Sequence, residues 1–155
     1  MLQIQVRKLE DEIKQKRFDS EQHKLIINLI FTSNWLNGIS QKQFKPFGIT
    51  PQQYNVLRIL KGQFPNPASV GMVQERMLDK SSNITRLVDK LLEKEFVSRC
   101  ENPSNRRMQE LRITDKGLGF LTAVSAQQKN FLELTSHISD EEATRVNEIL
   151  DKLRN

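Results

Sequence analysis

The polar and basic residues best suited to chemistry form two clusters in the middle of the chain. Residues 80–86 read Lys-Ser-Ser-Asn-Ile-Thr-Arg, and residues 103–107 read Pro-Ser-Asn-Arg-Arg. Asparagine can pair bidentately with adenine and arginine with guanine, while hydroxyl and ammonium groups suit phosphate oxygens. Both clusters therefore indicate contact with a nucleic acid.

An amphipathic helix is predicted to carry the first cluster. Its apolar stripe, at spacings of three and four, comprises Ile84, Leu87, Val88, Leu91 and Leu92. Asp79 or a neighbour can adopt the turn conformation that must precede this helix. Ser81 or Ser82 can cap the helix by accepting hydrogen bonds from its first backbone amides. The outward positions, which could enter a groove of DNA, are Ser82, Asn83, Arg86, Asp89, Lys90 and Glu93.

Two short strands, residues 96–101 and 108–113, are predicted around the second cluster. The residues between them make a hairpin tip, which would carry Arg106 and Arg107 into a minor groove. The alternative for these two arginines is a solvated turn. A polar helix start, an apolar helix body and a basic hairpin tip are together typical of a winged helix-turn-helix.

Roles can be assigned to the polar residues from their hydrogen-bonding chemistry. Base reading is predicted for Asn83 and Arg86, and phosphate charge is predicted to come from Lys80 and Lys90. The alternative for Asn83 is that it serves only as a second helix cap. The predicted DNA-binding residues are Lys80, Ser81, Ser82, Asn83, Thr85, Arg86, Lys90, Asn105, Arg106 and Arg107.

Cap signals predict two helices before the first cluster. Thr50 is an N-cap, Pro51 takes the first helical position, and Gln53 can reach back as a capping box. Two prolines within residues 64–67 end this helix, whose inner face comprises Tyr54, Leu57 and Leu60. A short helix is predicted over residues 69–77, with an inner face of Val70, Val73 and Met77.

Two more helices are predicted after the wing. Thr114 caps a long helix that reaches about His137, and Ser139 with Glu142 forms a capping box for a last helix. The apolar face of the long helix comprises Phe120, Leu121, Val124 and Phe131. The inward face of the last helix comprises Ala143, Val146, Ile149, Leu150 and Leu153.

The N-terminal part of the chain is rich in apolar helical positions. A short stripe comprises Leu2, Val6, Leu9 and Ile13, and it could either lengthen a dimer interface or form a loose arm. A helix from about Ser20 to Phe44 carries Leu25, Ile26, Leu29, Ile30, Phe31, Trp35, Leu36 and Ile39. The apolar faces at both ends exceed what one small core can cover, so we expect a two-fold homodimer. Its recognition helices would lie about 34–36 Å apart on a pseudopalindrome.

Composition agrees with a basic, metal-free protein. The 24 Lys and Arg residues exceed the 19 Asp and Glu residues. The excess lies in residues 1–113, where 19 basic residues face 12 acidic ones, whereas residues 114–155 have five against seven. One cysteine and two isolated histidines predict neither a disulfide framework nor a metal site. With no apolar run near 20 residues and no signal-like N-terminus, we expect a cytoplasmic protein without a membrane partner.

The order of elements and two motifs resemble the MarR family of transcriptional regulators. Residues 82–91, Ser-Asn-Ile-Thr-Arg-Leu-Val-Asp-Lys-Leu, are similar to its recognition helix. Residues 105–107 and 111–117 are similar to its wing and the start of its dimer helix. The chain departs from the family pattern at Gln74, where a small residue is frequent, at Leu78 and Glu95, where glycine is frequent, and at Asn102 and Asn105, where aspartates are usual.

The resemblance implies a mainly α fold with a small β-hairpin wing, in which dimerisation helices flank a winged helix-turn-helix. The implied segments are 1–48 and 114–155 for dimerisation and 49–113 for DNA binding. It further implies a sequence-specific regulator of double-stranded DNA, with a family bias toward repression, and a small aromatic or lipophilic effector. The candidate effector-lining residues are Phe31, Trp35, Phe47 and Tyr54.

Alternatives remain for function and for single residues. A winged helix used for nonspecific DNA binding or for protein binding is the alternative to a specific regulator. An enzyme is not expected, because the sequence has no nucleophile with a paired base, no phosphate-cradling glycine loop and no metal cluster. Trp35 and Tyr54 could serve packing or a dimer interface instead of a ligand. Cys100, on a predicted strand, is expected to be a buried small hydrophobe.

Overall fold

The computed structural model describes residues 7–102, 105–127 and 133–155, without the side chains of 102, 105–108, 126 and 127. Three residues of the predicted apolar faces, Leu2, Val6 and Phe131, lie outside this part of the chain. The described residues are mainly helical, with one three-stranded sheet. The predicted fold class is therefore confirmed. The chain forms two compact units, and the boundary between them lies between Tyr54 and Asn55.

The first unit contains two helices and a 3₁₀ turn. Helix α1 spans Leu9–Glu12, helix α2 spans Glu21–Phe44, and the turn spans Lys45–Phe47. Ser20 is the N-cap of α2, as the predicted start at this residue requires. Gly48 ends the turn with φ 65°, a left-handed conformation that glycine adopts without strain.

An ion pair fastens the short α1 to α2. Leu9 is buried, and Lys24 Nζ lies 2.5 Å from Glu10 Oε1. The hydrogen bond from Lys24 is the main cause that lowers the pKa of the Glu10 carboxyl. The described part of the predicted N-terminal stripe is thus held against its own chain.

Helix α3 spans Pro51–Gln63 and begins with the predicted capping box. Gln53 Oε1 accepts a hydrogen bond from Thr50 N at 2.8 Å, and Thr50 Oγ1 accepts one from Gln53 N at 3.2 Å. Two backbone donors at the helix start are satisfied in this way. The predicted end of the helix before the two prolines is also confirmed.

The second unit holds the apolar core of the winged helix. Helix α4 spans Val70–Arg76 and helix α5 spans Ile84–Glu93. Most residues of the predicted inner faces are buried. The prediction for Val70 is wrong, because this residue is the first of α4 and is 40% exposed. The buried residues of this unit are Val56, Leu57, Leu60, Ala68, Val73, Met77, Ile84, Val88, Leu91, Val97, Leu111, Ile113, Leu121 and Val124.

The wing is a three-stranded antiparallel sheet with the order β1–β3–β2. Strand β1 spans Ala68–Ser69, β2 spans Val97–Asn102 and β3 spans Asn105–Ile113. The two-strand prediction missed β1, because two residues carry no detectable periodicity and their pairing with Leu111 and Glu110 is distant in sequence.

The tip of the hairpin is shorter than the sequence suggested. Asn102 pairs with Asn105, so only residues 103 and 104 lie between the strands. Arg106 and Arg107 are therefore the second and third residues of β3 rather than part of the loop. The prediction that these two arginines lie at the tip itself is therefore wrong by two or three residues.

Helix α6 spans Asp115–Gln127 and starts at the predicted residue. Thr114 Oγ1 accepts a hydrogen bond from Gly117 N at 3.1 Å. The predicted end near His137 is wrong, because residues 134–137 form turns. Ser136 Oγ donates to the carbonyl oxygen of Glu133 at 2.8 Å, a local bond that competes with helical pairing.

The last helix, α7, spans Asp140–Leu153 and has the predicted capping box. Ser139 Oγ accepts from Glu142 N, and Glu142 Oε2 accepts from Ser139 N. Its predicted inward face is not buried in the single chain: Val146, Ile149 and Leu153 are each about half exposed, at 52%, 47% and 48%. The apolar face of α7 that was predicted to point inward is therefore left partly open to solvent by the described residues.

Gly117 allows α6 to start close to the base of the wing. A Cβ at this position would lie against the carbonyl oxygen of Phe96 and 2.8 Å from Cγ1 of Ile113. We expect Gly117→Ala to lower the free energy of unfolding by about 1–3 kcal/mol, because backbone must move to admit the methyl group. Urea unfolding monitored by circular dichroism measures this loss.

Gly119 provides the matched control in the same helix. A Cβ there would meet nothing within 4 Å. Gly119→Ala is therefore expected to raise stability by about 0.5–1 kcal/mol through helix propensity. Equal effects of the two substitutions would contradict a steric role for Gly117.

Candidate nucleic-acid interface

Asn83 starts the helix that carries the first polar cluster. It is the N-cap of α5, and its Oδ1 accepts a hydrogen bond from Arg86 N at 3.1 Å. The predicted cap at Ser81 or Ser82 is wrong. Ser81 is used in the preceding turn, where Asp79 Oδ1 accepts from Ser81 N at 3.0 Å and from Ser81 Oγ at 2.6 Å.

The turn between α4 and α5 is held by side chains on both sides. Asn55 Oδ1 accepts a hydrogen bond from Leu78 N at 2.9 Å. Gln74 Nε2 donates to the carbonyl oxygen of Lys80 at 3.0 Å, and Lys80 Nζ bonds the carbonyl oxygen of Glu75. These contacts fix the direction in which the turn presents its outward residues.

Most of the predicted recognition residues lie on one accessible surface. The predicted recognition residues that are exposed at the turn and on α5 are Lys80, Ser81, Asn83, Thr85, Arg86 and Lys90. Ser82 differs, because its Oγ is buried and has no hydrogen-bond partner among the described residues. A phosphate contact by Ser82 would require this hydroxyl to turn outward.

The charged residues of α5 differ in their partners. Lys90 Nζ lies 2.9 Å from Glu93 Oε2, and Asp89 Oδ1 lies 2.7 Å from Arg99 Nη2 on β2. Among the ion pairs of the described residues, none includes Arg86. The first turn of the helix thus offers a cation, Arg86, whose charge is not matched by any of the described side chains.

Two basic strand residues were missed by sequence reasoning. Arg99 on β2 and Arg112 on β3 are both exposed. Strand alternation could have identified Arg112, which lies between the buried Leu111 and Ile113. It could not have identified Arg99, which pairs with Leu111 and so belongs to the face that these buried residues occupy. Arg99 ties the wing to the recognition helix through Asp89, so the two parts of the surface are linked by an ion pair.

A cluster at the C-terminal end of α5, which we call the α5–α6 junction, joins the recognition helix to α6. It comprises Glu95, Phe96, Thr114, Lys116, Gly117 and Phe120. Glu95 takes a left-handed conformation with φ 61°, and Thr114 Oγ1 donates to its carbonyl oxygen at 2.7 Å. Lys116 Nζ lies 2.6 Å from Glu95 Oε2 and lowers the pKa of that carboxyl. The rings of Phe96 and Phe120 stack with centroids 4.5 Å apart.

The four candidate effector-lining residues all belong to the first unit. Trp35 on α2 is 50% exposed, while Phe31, Phe47 and Tyr54 are half-buried. The ring of Tyr54 lies 4.6 Å from that of the buried Phe44. This contact supports the packing alternative for Tyr54.

The remaining sequence predictions concern reactive groups and membranes. The Cys100 thiol is half-buried, and its Sγ lies 3.7 Å from the carbonyl oxygen of Glu110. In residues 7–102, 105–127 and 133–155, no group of three or more His, Cys, Asp or Glu is placed to hold a metal ion. The helices in the same ranges are all too short or too polar to cross a membrane.

A helix-turn-helix followed by a β wing, with a polar and basic first turn on the second helix, defines a winged-helix DNA-binding protein. The model of the MarR family matches residues 49–108, which include α5 and most of the wing. The HTH-type transcriptional regulator MhqR of Bacillus subtilis is 30% identical over 131 residues, covering 84% of this chain and 89% of that protein. The chain belongs to the MarR family of transcriptional regulators and, like its named relatives, is a DNA-binding regulator rather than an enzyme.

A second relative supports the family and a solved structure supports the fold. The HTH-type transcriptional repressor MdtR of Bacillus subtilis is 31% identical over 107 residues, covering 68% of each chain. A crystal structure of a mutant MarR from E. coli complexed with operator DNA superposes with a TM-score of 0.71 at 21% identity, covering 95% of this chain and 99% of that one. The latter likeness establishes the fold.

Proposed function

We propose that the chain is a homodimeric, sequence-specific repressor that binds a pseudopalindromic operator. The observation that carries this proposal is the exposed first turn of α5, where Asn83 and Arg86 stand beside each other and Arg86 has no ion-pair partner among the described residues. An arginine in this state can donate two hydrogen bonds to guanine without first breaking an internal pair. The named repressor MdtR supports repression as the output.

Phosphate contacts would position this reading surface on the duplex. Lys80 and Ser81 lie exposed on a turn that internal hydrogen bonds hold in place. Arg106 and Arg107, near the wing tip on β3, would approach a minor groove at the flank of each half-site. These groups add affinity for any sequence, whereas Asn83 and Arg86 supply the preference among sequences.

The uncovered apolar faces support the homodimer. Large apolar side chains of α2 and α7 are 38–58% exposed in the single chain: Leu25, Ile26, Ile30, Trp35, Val146, Ile149 and Leu153. A second copy of the same chain would cover such faces by two-fold symmetry. The segments 1–48 and 114–155 would then form the dimer, and 49–113 would bind DNA.

A small aromatic or lipophilic effector would regulate this binding. Phe31, Trp35, Phe47 and Tyr54 are the candidate lining residues, all of them on the first unit. An effector that favours a dimer whose helices no longer match the half-site spacing would release DNA by shifting the population. The protein would act in the cytoplasm, where its operator lies.

Selection from a random pool of duplexes at near-physiological salt tests the proposal. We expect enrichment of a two-fold-related motif, and tighter binding of that motif than of its scrambled sequence. A salt series then separates phosphate contacts from base contacts. Binding without enrichment, fading uniformly as salt rises, would instead indicate a nonspecific winged helix, and absence of DNA binding would favour a protein-binding module.

The cap role of Asn83 can be separated from its proposed base contact. Asn83→Ala removes the acceptor for Arg86 N and should destabilise the protein by about 0.5–2 kcal/mol. Asn83→Ser keeps a good cap but cannot pair bidentately with adenine. We therefore expect Asn83→Ser to have near-normal stability and at least tenfold weaker operator binding.

Urea unfolding and equilibrium binding of both variants measure the two effects. If Asn83→Ser binds the operator as tightly as the original protein, Asn83 is only a helix cap. If Asn83→Ala is as stable as the original protein, the hydrogen bond that Asn83 accepts from Arg86 N does not act as the cap that the geometry indicates.

A further inference from the structure

Leu78 is the most exposed large apolar side chain among the described residues. It is 89% exposed, whereas the next most exposed, Ile30, reaches 58%. Leu78 lies in the turn between α4 and α5. It is far along the chain from α2 and α7, whose apolar faces are also exposed. The preceding residue, Met77, is buried to 1% exposure, so the chain turns one apolar side chain inward and the next one out.

The backbone around Leu78 is fixed by hydrogen bonds. Its own N–H donates to Asn55 Oδ1 at 2.9 Å, and the carbonyl oxygen of Lys80 accepts from Gln74 Nε2 at 3.0 Å. Ser82 N donates to the carbonyl oxygen of Asp79 at 3.3 Å. The leucine is therefore presented by an ordered turn, which lowers the conformational entropy lost when the side chain meets a partner.

The surroundings of Leu78 point to DNA as this partner. The next residue is the exposed Asp79, whose Oδ1 accepts hydrogen bonds from Ser81. The exposed residues that follow along the turn are Lys80, Ser81 and Asn83. When a recognition helix enters the major groove, the turn that precedes it comes close to the border of that groove. The apolar groups available there are the thymine methyl, which projects into the major groove, and the deoxyribose.

We propose that Leu78 makes an apolar contact with operator DNA, against a thymine methyl or a deoxyribose at the edge of the major groove. The proposal rests on the proposed function, because it requires α5 to enter the groove. Through a thymine methyl, the contact would add a base preference beside the hydrogen bonds of Asn83 and Arg86. Through deoxyribose, it would add affinity without such a preference.

The first test is the affinity of Leu78→Ala for the duplex selected by the unaltered protein. We expect about tenfold weaker binding, since each half-site loses an apolar contact. The slope of log K against log salt should stay the same, because leucine displaces no counterions. Val70→Ala is the matched control, since it truncates another exposed aliphatic side chain, at the far end of α4, and should leave affinity unchanged.

Deoxyuridine in place of thymidine distinguishes the two apolar groups. If a thymine methyl is contacted, its removal at one symmetric pair of positions weakens binding of the original protein and has no effect on Leu78→Ala. If deoxyribose is contacted, each uridine duplex changes both proteins equally, while Leu78→Ala remains weaker on all of them.

Two results would overturn the contact and leave the proposed function intact. One is a two-fold motif selected by the original protein and bound equally tightly by Leu78→Ala. The other is a change of oligomeric state in Leu78→Ala, which would assign the leucine to a protein contact. Failure of the original protein to select any motif would instead overturn the proposed function itself.

Discussion

Arg86→Ala is expected to remove most of the sequence preference while leaving general DNA binding in place. A bidentate arginine contact with guanine discriminates by about 1–3 kcal/mol, and a dimer makes it twice. The loss on the operator should therefore be about 30-fold or more. Competition binding with operator and scrambled duplexes measures the affinity for the operator and the affinity for an unrelated sequence. The backbone N–H of Arg86, which Asn83 caps, is unaffected by this change.

Lys90→Ala is the control with the same change in charge. Lys90 already pairs with Glu93 at 2.9 Å, and we assign it to phosphate rather than to a base. Its loss should weaken binding of all sequences alike and reduce the salt slope by about one per protomer. If Arg86→Ala and Lys90→Ala lower operator and scrambled affinity by the same factor, Arg86 reads no base.

Ile149→Glu is expected to convert the dimer into monomers and to weaken operator binding by at least 100-fold. Ile149 is 47% exposed on the apolar face of α7, between Val146 and Leu153. Two-fold symmetry would bury the introduced carboxylate twice, at several kcal/mol for each unpaired charge. Sedimentation at micromolar concentration shows the change of state, and circular dichroism shows whether the helices persist.

Thr144→Glu adds the same charge on the other side of α7, where the residue is exposed. This variant should remain a dimer and bind the operator normally. Ile149→Ala provides a milder change, for which weaker association without loss of fold is expected. A dimer of unchanged stability in Ile149→Glu would show that this face does not contact a second copy.

Local chemistry explains why several helix starts could be predicted from sequence. The capping boxes of Thr50 with Gln53 and of Ser139 with Glu142 involve residues three apart, so neighbouring sequence alone specifies them. At α5, three consecutive residues have similar cap propensity, and Asp79 decides among them by binding Ser81. The choice of Asn83 as cap therefore depends on the turn that precedes the helix.

Features that depend on distant residues were harder to predict. Strand β1 exists because Ala68 and Ser69 pair with β3 more than 40 residues later, and the pairing of Asn102 with Asn105 moves Arg106 from a loop into a strand. The hydrogen bond that the Leu78 amide donates to Asn55 Oδ1 likewise joins residues 23 positions apart. For the candidate site, the residue types were readable from sequence, and so was the pair of Lys90 with Glu93 three residues later on the same helix. The pair of Asp89 with Arg99 was not, because it depends on how β2 packs beside α5.

The contacts of the α5–α6 junction are expected to couple the tilt of the recognition helix to the tilt of α6. Glu95, Phe96 and Gly117 are joined across it by an ion pair, a ring stack and a close backbone approach. Helix α6 has 13 residues and is therefore about 20 Å long. If α6 tilts by about 10° around one end, its other end moves by about 3.5 Å. That distance is close to the rise of one base pair, so in the proposed dimer a small change of helix angle would be enough to move the two recognition helices out of register with the half-sites.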